Sequence, residues 1–509
     1  MEAQVITVEK AFAAAEVKFK ELVERLSAEE SLRMTHGELE SVIAAEGREI
    51  HRRLLQGHLD LRASDERVRV SVRGADDVDR THHRHRGRGL LTVFGHVTAM
   101  RMTYGARRHG SLSPLDASLN LPEELHSHGL RRLAAIEAAR GSFDATVDAI
   151  ERSTGTQVAK RQVEGLVQRA AQDFDGFYDR PESAEAPASE KDLLCLSLDG
   201  KGIVMRREAL RDATRKAAEI GQHKLGCRLS KGEKRDRKRM ATVAAVYDLT
   251  TQARRPEDVL AELRPVRDAL KPRPRARNKR VWASVEKSSV AVTSEVFEEA
   301  SRRDPERRRR WVVLVDGDRN QIARIRAEAK RRGVEVTLVV DFIHVLEYLW
   351  DAAWCFFAEG DKEAERWVTE RAFAILQGRS SDVGAGIRRS ATLRKLSTDK
   401  RKGADDCADY LIAKRSMLRY DRYLRQGFPI ATGVIEGACR HLIVDRMDIT
   451  GARWSVSGAE AILRLRSLRS SGDFDDYWHF HLEAEHARNH VSRYAGKPAL
   501  RVIAGGASS

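Results

Sequence analysis

Two short stretches constrain this chain most: LLCLSLDG, residues 193–200, and WVVLVDGD, residues 311–318, each an apolar run that breaks off at an aspartate. Runs of this length and composition, bounded by glycine, are expected to be buried strands. An unpaired carboxylate is costly to bury, so Asp199 and Asp316 must sit where their strands leave the core. Two strands therefore deliver one carboxylate each.

The text around them supplies the rest of an α/β unit. GIVM (202–205) and RMATVAAVYDLT (239–250) read as two further strands, WASVEKSSVAVTSEVFEEASRR (282–303) as a helix, NQIARIRAEAKRRG (320–333) as another, and VEVTLVVD (334–341) as a last strand. The Pro- and Arg-bearing residues 251–280 read as a long irregular loop. The order β-β-β-α-β-α-β is that of the ribonuclease-H-like nucleotidyltransferases, whose mixed sheet sets the first and fourth strands side by side. Asp199 and Asp316 are then neighbours.

Neighbouring carboxylates repel unless positive charge lies between them, and two Mg²⁺ ions, with Mn²⁺ as a substitute, are the usual remedy in phosphoryl-transfer sites. A third acid is expected from a helix after the last strand, within ATGVIEGACRHLIVDRMDITGARWS (431–455). Glu436 begins its apolar-periodic stretch, with Arg440, Arg446 and Arg453 available for phosphate. Asp445 and Asp448 compete for the role, but their basic neighbours suit plain ion pairs.

At 509 residues the chain should hold about three domains. Its 91 Lys+Arg against 76 Asp+Glu leave +15, a charge that draws in a polyanion. Residues 7–60 carry apolar positions at helical spacing, and LLTVFGHVTAMRMTY (90–104) suggests paired strands. The segment DDVDRTHHRHRGRG (76–89) reads as a solvated basic loop; His82, His83 and His85 lack further metal ligands at a suitable spacing.

SFDATVDAIERSTGTQVAKRQVEGLVQRAA (142–171) has two helical periods parted by Ser153, Thr154 and Gly155, the layout of a helix-turn-helix. Its second helix is expected from about Thr156, placing Gln157, Lys160 and Arg161 where DNA is met. RLSKGEKRDRKRM (228–240) adds Lys234 and Arg235 as phosphate contacts. Five scattered cysteines spell neither a disulfide framework nor a zinc knuckle, and neither a signal peptide nor a membrane span is expected, so reduced thiols in a cytosol are expected.

Taken together, LDGKG, VDGDRNQI, DFIHVLEYLW, GVIEGACRHLIVDRMDITGARWS, SPLDASLNLPEE and SFDATVDAI, spread over about residues 90–480, resemble the ISKra-type insertion-sequence transposases of the Mutator-like DDE group. The resemblance implies a DDE triad of Asp199, Asp316 and Glu436, each a metal ligand. It also implies a D-x-x-H motif, Asp341 and His344, and an all-helical insertion, residues 345–430. A rival assignment makes Asp341 the second ligand. The longer stretch between Asp199 and Asp316 departs from the wider group.

The expected layout is N-terminal helices (1–75), a β-hairpin and helix-turn-helix DNA-binding region (76–180), a linker (181–192), the first part of the ribonuclease-H-like domain (193–344), the helical insertion, and the second part with C-terminal helices (431–509). The expected activity is Mg²⁺-dependent cleavage at element ends and 3′-OH strand transfer into target double-stranded DNA. Joining two ends requires a homo-oligomer on DNA. A catalytically silent DNA-binding protein and a nuclease of the same fold are the alternatives.

Overall fold

The computed structural model describes residues 6–180, 189, 191–220, 237–262, 274–449 and 451–496. They form two compact units. One comprises residues up to Arg180 together with those from Asp473; the other comprises the residues between.

In the first unit two long helices, Val8–Ser27 and His36–Ser64, precede the strands β1 (Val72–Arg73), β2 (Asp79–Arg80), β3 (His82–Thr92), β4 (Gly95–Ala106) and β5 (His109–Leu112). β3, β4 and β5 make an antiparallel sheet in that order. Leu59 of the second helix packs with Leu90, Val97, Ala99 and Leu121, which anchors the sheet. The basic segment expected as a loop is thus a strand: His82 pairs with Gly105 and the ladder runs without a break to Thr92 and Gly95. Its outer half is exposed, so no apolar alternation announced it.

Helices Phe143–Thr154 and Lys160–Ala170 follow, parted by Gly155 at φ 68°, the left-handed conformation that stops the first helix. The second begins at Lys160 rather than near Thr156. Gln162 helps fix that start, its side chain accepting from the Ala159 N–H at 3.3 Å.

The helix Phe474–Asn489, expected with the catalytic half, belongs to the first unit instead. A buried guanidinium holds it there. Arg131, with no exposed surface, donates to Glu124 at 2.5 Å, to Glu485 at 2.8 Å and to His481 at 3.0 Å.

The second unit is a mixed α/β fold. Its strands are β6 (Leu193–Val204), β7 (Lys238–Leu249), β8 (Arg277–Ser284), β9 (Trp311–Val315) and β10 (Val336–Val340), in the sheet order β10-β9-β6-β7-β8. β6, β7 and β8 are antiparallel, whereas β9 pairs parallel to β6 and β10 parallel to β9. Two expectations fail here. GIVM is not a separate strand but the end of β6, paired with Met240 to Lys238 without a turn. The third antiparallel strand is Arg277–Ser284, taken from the expected loop and the start of the expected helix, which in fact begins at Ser289.

Between β10 and Gly433 run helices Phe342–Ala353, Lys362–Leu376, Ser380–Leu393, Thr398–Ala413 and Tyr420–Arg425. The insertion's aromatics differ in burial, with Tyr420 and Phe428 in the core. Trp367 is buried; Trp350, Phe356 and Phe373 are half-buried; Trp354 is exposed, stacked on Trp350 at 5.2 Å.

Arg131→Ala strands Glu485 and Glu124 without their buried cation and should cost about 3–5 kcal/mol in urea unfolding. Amide exchange over 474–489 should rise with it; unchanged protection there would contradict the placement of this helix.

Candidate active site

Parallel pairing of β6 with β9 runs from Leu194 opposite Trp311 to Ser197 opposite Leu314. Continued two positions, the register sets Asp199 opposite Asp316. β10 meets β9 with Val340 opposite Val315, which sets Asp341 beside Asp316, its N–H donating to the Val315 carbonyl at 2.8 Å. Asp316 and Asp341 thus follow the ends of β9 and β10, level with Asp199 inside β6, which continues to Val204. Asp199 and Asp316 are half-buried, and Asp341 is wholly buried.

Each of these carboxylates is held locally. Asp199 accepts from the Gly200 N–H at 2.6 Å and from the Cys439 thiol at 3.1 Å; burial, with Asp199 adding to it, pushes that thiol's pKa up. Asp316 accepts from the Asp318 N–H at 2.8 Å across a turn at Gly317, whose φ is 99°. A side chain at Gly317 would strike the Tyr410 hydroxyl, 2.6 Å from its Cβ position. That hydroxyl donates to the Asp316 carbonyl at 2.8 Å, and the ring stacks on Tyr348 at 4.1 Å. The side-chain amide of Gln321 donates to the Leu198 carbonyl at 2.9 Å, tying the helix after Asp316 to β6.

Glu436 lies exposed on the helix Gly433–Cys439, which continues into a π-helical turn, Arg440–Val444. Cys439, three residues on and so on the same face, is the residue that touches Asp199. On the other side the Thr432 hydroxyl bonds the Asp341 carboxylate and lies 3.4 Å from Glu436. Cys439 and Thr432 therefore link the helix to the strand ends, and neither was singled out in the sequence. Single hydroxyls and thiols carry no periodic or compositional signal.

In a chain rich in arginine, Asp199, Asp316 and Glu436 have no ion-pair partner among the described residues. Their competitors do: Asp445 pairs with His441 at 3.1 Å and Arg440 at 3.6 Å, and Asp448 with Lys238 at 3.3 Å. Asp341 also has one. It caps the helix Phe342–Ala353 through the Ile343 N–H at 2.9 Å and meets His344 at 3.2 Å. That bond raises the His344 pKa to about 9 against partial burial, with Glu347 and Asp316 adding to the effect, so the ring is cationic at neutral pH.

The expected DNA contacts scatter. Gln157 precedes its helix and bonds Glu151 at 2.9 Å, Lys160 pairs with Asp144 at 2.7 Å, and Arg161 is exposed. Arg440 and Arg453 are exposed as well. Arg446 is not available to a phosphate: it is buried against Trp454, 4.8 Å from the ring, and burial lowers its pKa to about 10. Lys234 and Arg235 lie outside the described residues. The hydroxyls of Tyr420 and Tyr423 donate to the carbonyls of Val340 and Leu338, as Tyr410 does to Asp316.

Among the described residues, the three potential ligand atoms that lie within 4.8 Å of one another belong instead to Asp173, His481 and Glu485 in the first unit. Their oxygens already accept from Arg488, Arg131 and Gln172. This is an ion-pair network, chemically unlike Asp199, Asp316 and Glu436, which have no ion-pair partner among the described residues. No protein-family model matches the chain, and a search of curated proteins finds no match.

Because the His344 pKa is raised, its pairing stabilises the fold fully below the unfolded value near 6.5 and loses that contribution as pH rises through about 9. His344→Asn should therefore cost about 1–2 kcal/mol at pH 6, after allowance for solvent screening, and almost nothing above pH 9.5. A pH-independent difference in urea midpoints would contradict the pairing.

Proposed function

We propose that the protein is a DNA transposase of a bacterial insertion sequence, acting from a ribonuclease-H-like domain through Asp199, Asp316 and Glu436. The observation that carries the reading is the placement of these three carboxylates, Asp199 and Asp316 in matched register on adjacent parallel strands and Glu436 on a helix tied to them through Cys439 and Thr432, with no ion-pair partner among the described residues. The strand order β10-β9-β6-β7-β8 supports it, since the first strand of the unit lies beside the fourth. The D-x-x-H pair, Asp341 and His344, is in hydrogen-bond contact.

An all-oxygen donor set fits a hard divalent cation. Asp199, Asp316 and Glu436 would hold Mg²⁺, or Mn²⁺ in its place, which supplies activation of an attacking oxygen and stabilisation of a leaving one. The chain's own residues set the geometry. Gly200, Cys439 and the Gly317 turn orient the two aspartates, Thr432 braces Glu436 against Asp341, and the cationic His344 is placed to donate to a phosphate oxygen.

Hydrolysis at an element end would expose a 3′-OH, and the same carboxylates would serve its attack on target DNA. No protein nucleophile is needed, in keeping with three tyrosine hydroxyls committed to backbone carbonyls. The paired helices Phe143–Thr154 and Lys160–Ala170 are the proposed helix-turn-helix for element ends, and two ends call for at least two copies of the chain on DNA. The proposed setting is the bacterial nucleoid.

With labelled element ends, a target plasmid and Mg²⁺, strand-transfer products should fall on the order of 10³-fold or more in each of Asp199→Ala, Asp316→Ala and Glu436→Ala. Cleavage that survives Asp316→Ala but not Asp341→Ala would move the second ligand to Asp341. End binding without cleavage by the parent protein would favour a silent DNA-binding protein, and cleavage without joining a nuclease.

Thr432→Val should lower the single-turnover rate about 10–100-fold while DNA affinity holds, with Thr432→Ser restoring it. Equal rates for Val and the parent would remove Thr432 from the site.

A further inference from the structure

The run THHRHRGR, residues 81–88, holds no carboxylate and no Phe, Tyr or Trp, and it forms the outer part of an edge strand. β3 pairs with β4 along one edge; its other edge is bridged at Leu91 to Leu125 and Ser127, and its outer residues 82–87 are exposed. Alternate residues share a face, which puts Arg84, Arg86 and Arg88 on one side and His83 and His85 on the other. Arg88 and Arg101 are committed to Asp116, at 3.2 Å and 2.7 Å. Arg84 and Arg86 have no ion-pair partner among the described residues.

The basic surface continues past the ladder's end. Arg107 and Arg108, in the turn into β5, are exposed. So is Arg69, whose N–H bonds the Tyr104 hydroxyl at 2.8 Å, and Tyr104 stands opposite His83 in the ladder.

We propose that the outer half of β3, anchored by Arg84 and Arg86, is a surface that tracks the phosphate backbone of double-stranded DNA without reading bases. The two guanidinium groups stand two residues apart on one face, about 6.8 Å along the strand. That spacing is commensurate with two phosphate steps of one DNA strand, which rises about 3.4 Å of helix axis per phosphate. Duplex is favoured over unpaired nucleic acid because the run offers no aromatic ring for stacking, and over a lipid surface because it offers no apolar side chain to insert. Charge on an edge strand also blocks strand addition, but an unbroken row free of acids exceeds what that protection needs.

The surface shares a ligand with the proposed function and none of its chemistry, so the two can fail separately. Binding of the full chain to a random-sequence duplex is measured by fluorescence anisotropy over a range of KCl, without divalent metal. For Arg84→Ala/Arg86→Ala the slope of log K against log [salt] should shrink by about 1.8, two phosphate contacts' worth, with an equal loss on unrelated duplexes. Arg366→Ala, which removes an arginine already paired with Glu370 at 3.2 Å, should leave the slope unchanged. An unaltered melting temperature checks the fold, and Arg84→Gln/Arg86→Gln should reproduce the smaller slope.

A parent-like slope in the double variant overturns the proposal. So does a loss confined to phosphatidylserine vesicles or single-stranded RNA, or self-association with DNA binding intact, which would assign the arginines to guarding the strand edge.

Discussion

The parallel pairing of β6 with β9 is the interaction on which the placement of Asp199 and Asp316 depends. Its residues are buried throughout, and its register is pinned at the end away from the carboxylates. There the buried guanidinium of Arg309 donates to the Leu193 carbonyl at 3.1 Å and to Asp248, at the end of β7, at 2.5 Å. Trp311 donates its indole N–H to Asp304 at 2.8 Å. A slip of one residue would turn every side chain of β9 to the opposite face and carry Asp316 away from Asp199.

Alignment at one end becomes electrostatic tension at the other. Asp316 and Asp341 follow the ends of β9 and β10 beside Asp199 of β6, and Glu436 stands on a helix held to them by Thr432 and Cys439. The fold answers this tension at Asp341 alone, with a helix N-terminus, a threonine hydroxyl and the His344 cation. The remaining three carboxylates are oriented by neutral donors, an arrangement suited to a cation that comes from outside the chain. Elsewhere buried acids are met by arginines, as Glu299 is by Arg280, Arg302 and Arg303, which hold its pKa down near about 2.

Much of this architecture was legible in the sequence, for a physical reason: a buried strand must be apolar, and a charge at its end must mark where it surfaces. The apolar runs before Asp199, Asp316 and Asp341 met the first half of that rule, although β6 continues past Asp199 to Val204 and Asp341 is wholly buried, and five helices run through the expected insertion. The strand Arg277–Ser284 did not, because its first half, Arg277–Arg280, is charged and its apolar half merges with the helix that follows. β3 was missed for the converse reason, since its outer half buries nothing. Arg446 looked as free as Arg440; only the approach of Trp454 distinguishes them. The placement of Phe474–Asn489 rests on Arg131, more than three hundred residues earlier, and no local pattern carries a contact of that range.

The central claim is that Asp199, Asp316 and Glu436 form a divalent-metal site. Its most direct test is anomalous diffraction from crystals of the protein grown with duplex DNA and soaked in Mn²⁺. The account predicts Mn²⁺ peaks in contact with Asp199 and with at least one of Asp316 and Glu436, lost in Asp199→Ala crystals. Peaks confined to Asp173 and Glu485, or none at the strand ends at saturating Mn²⁺, would contradict it.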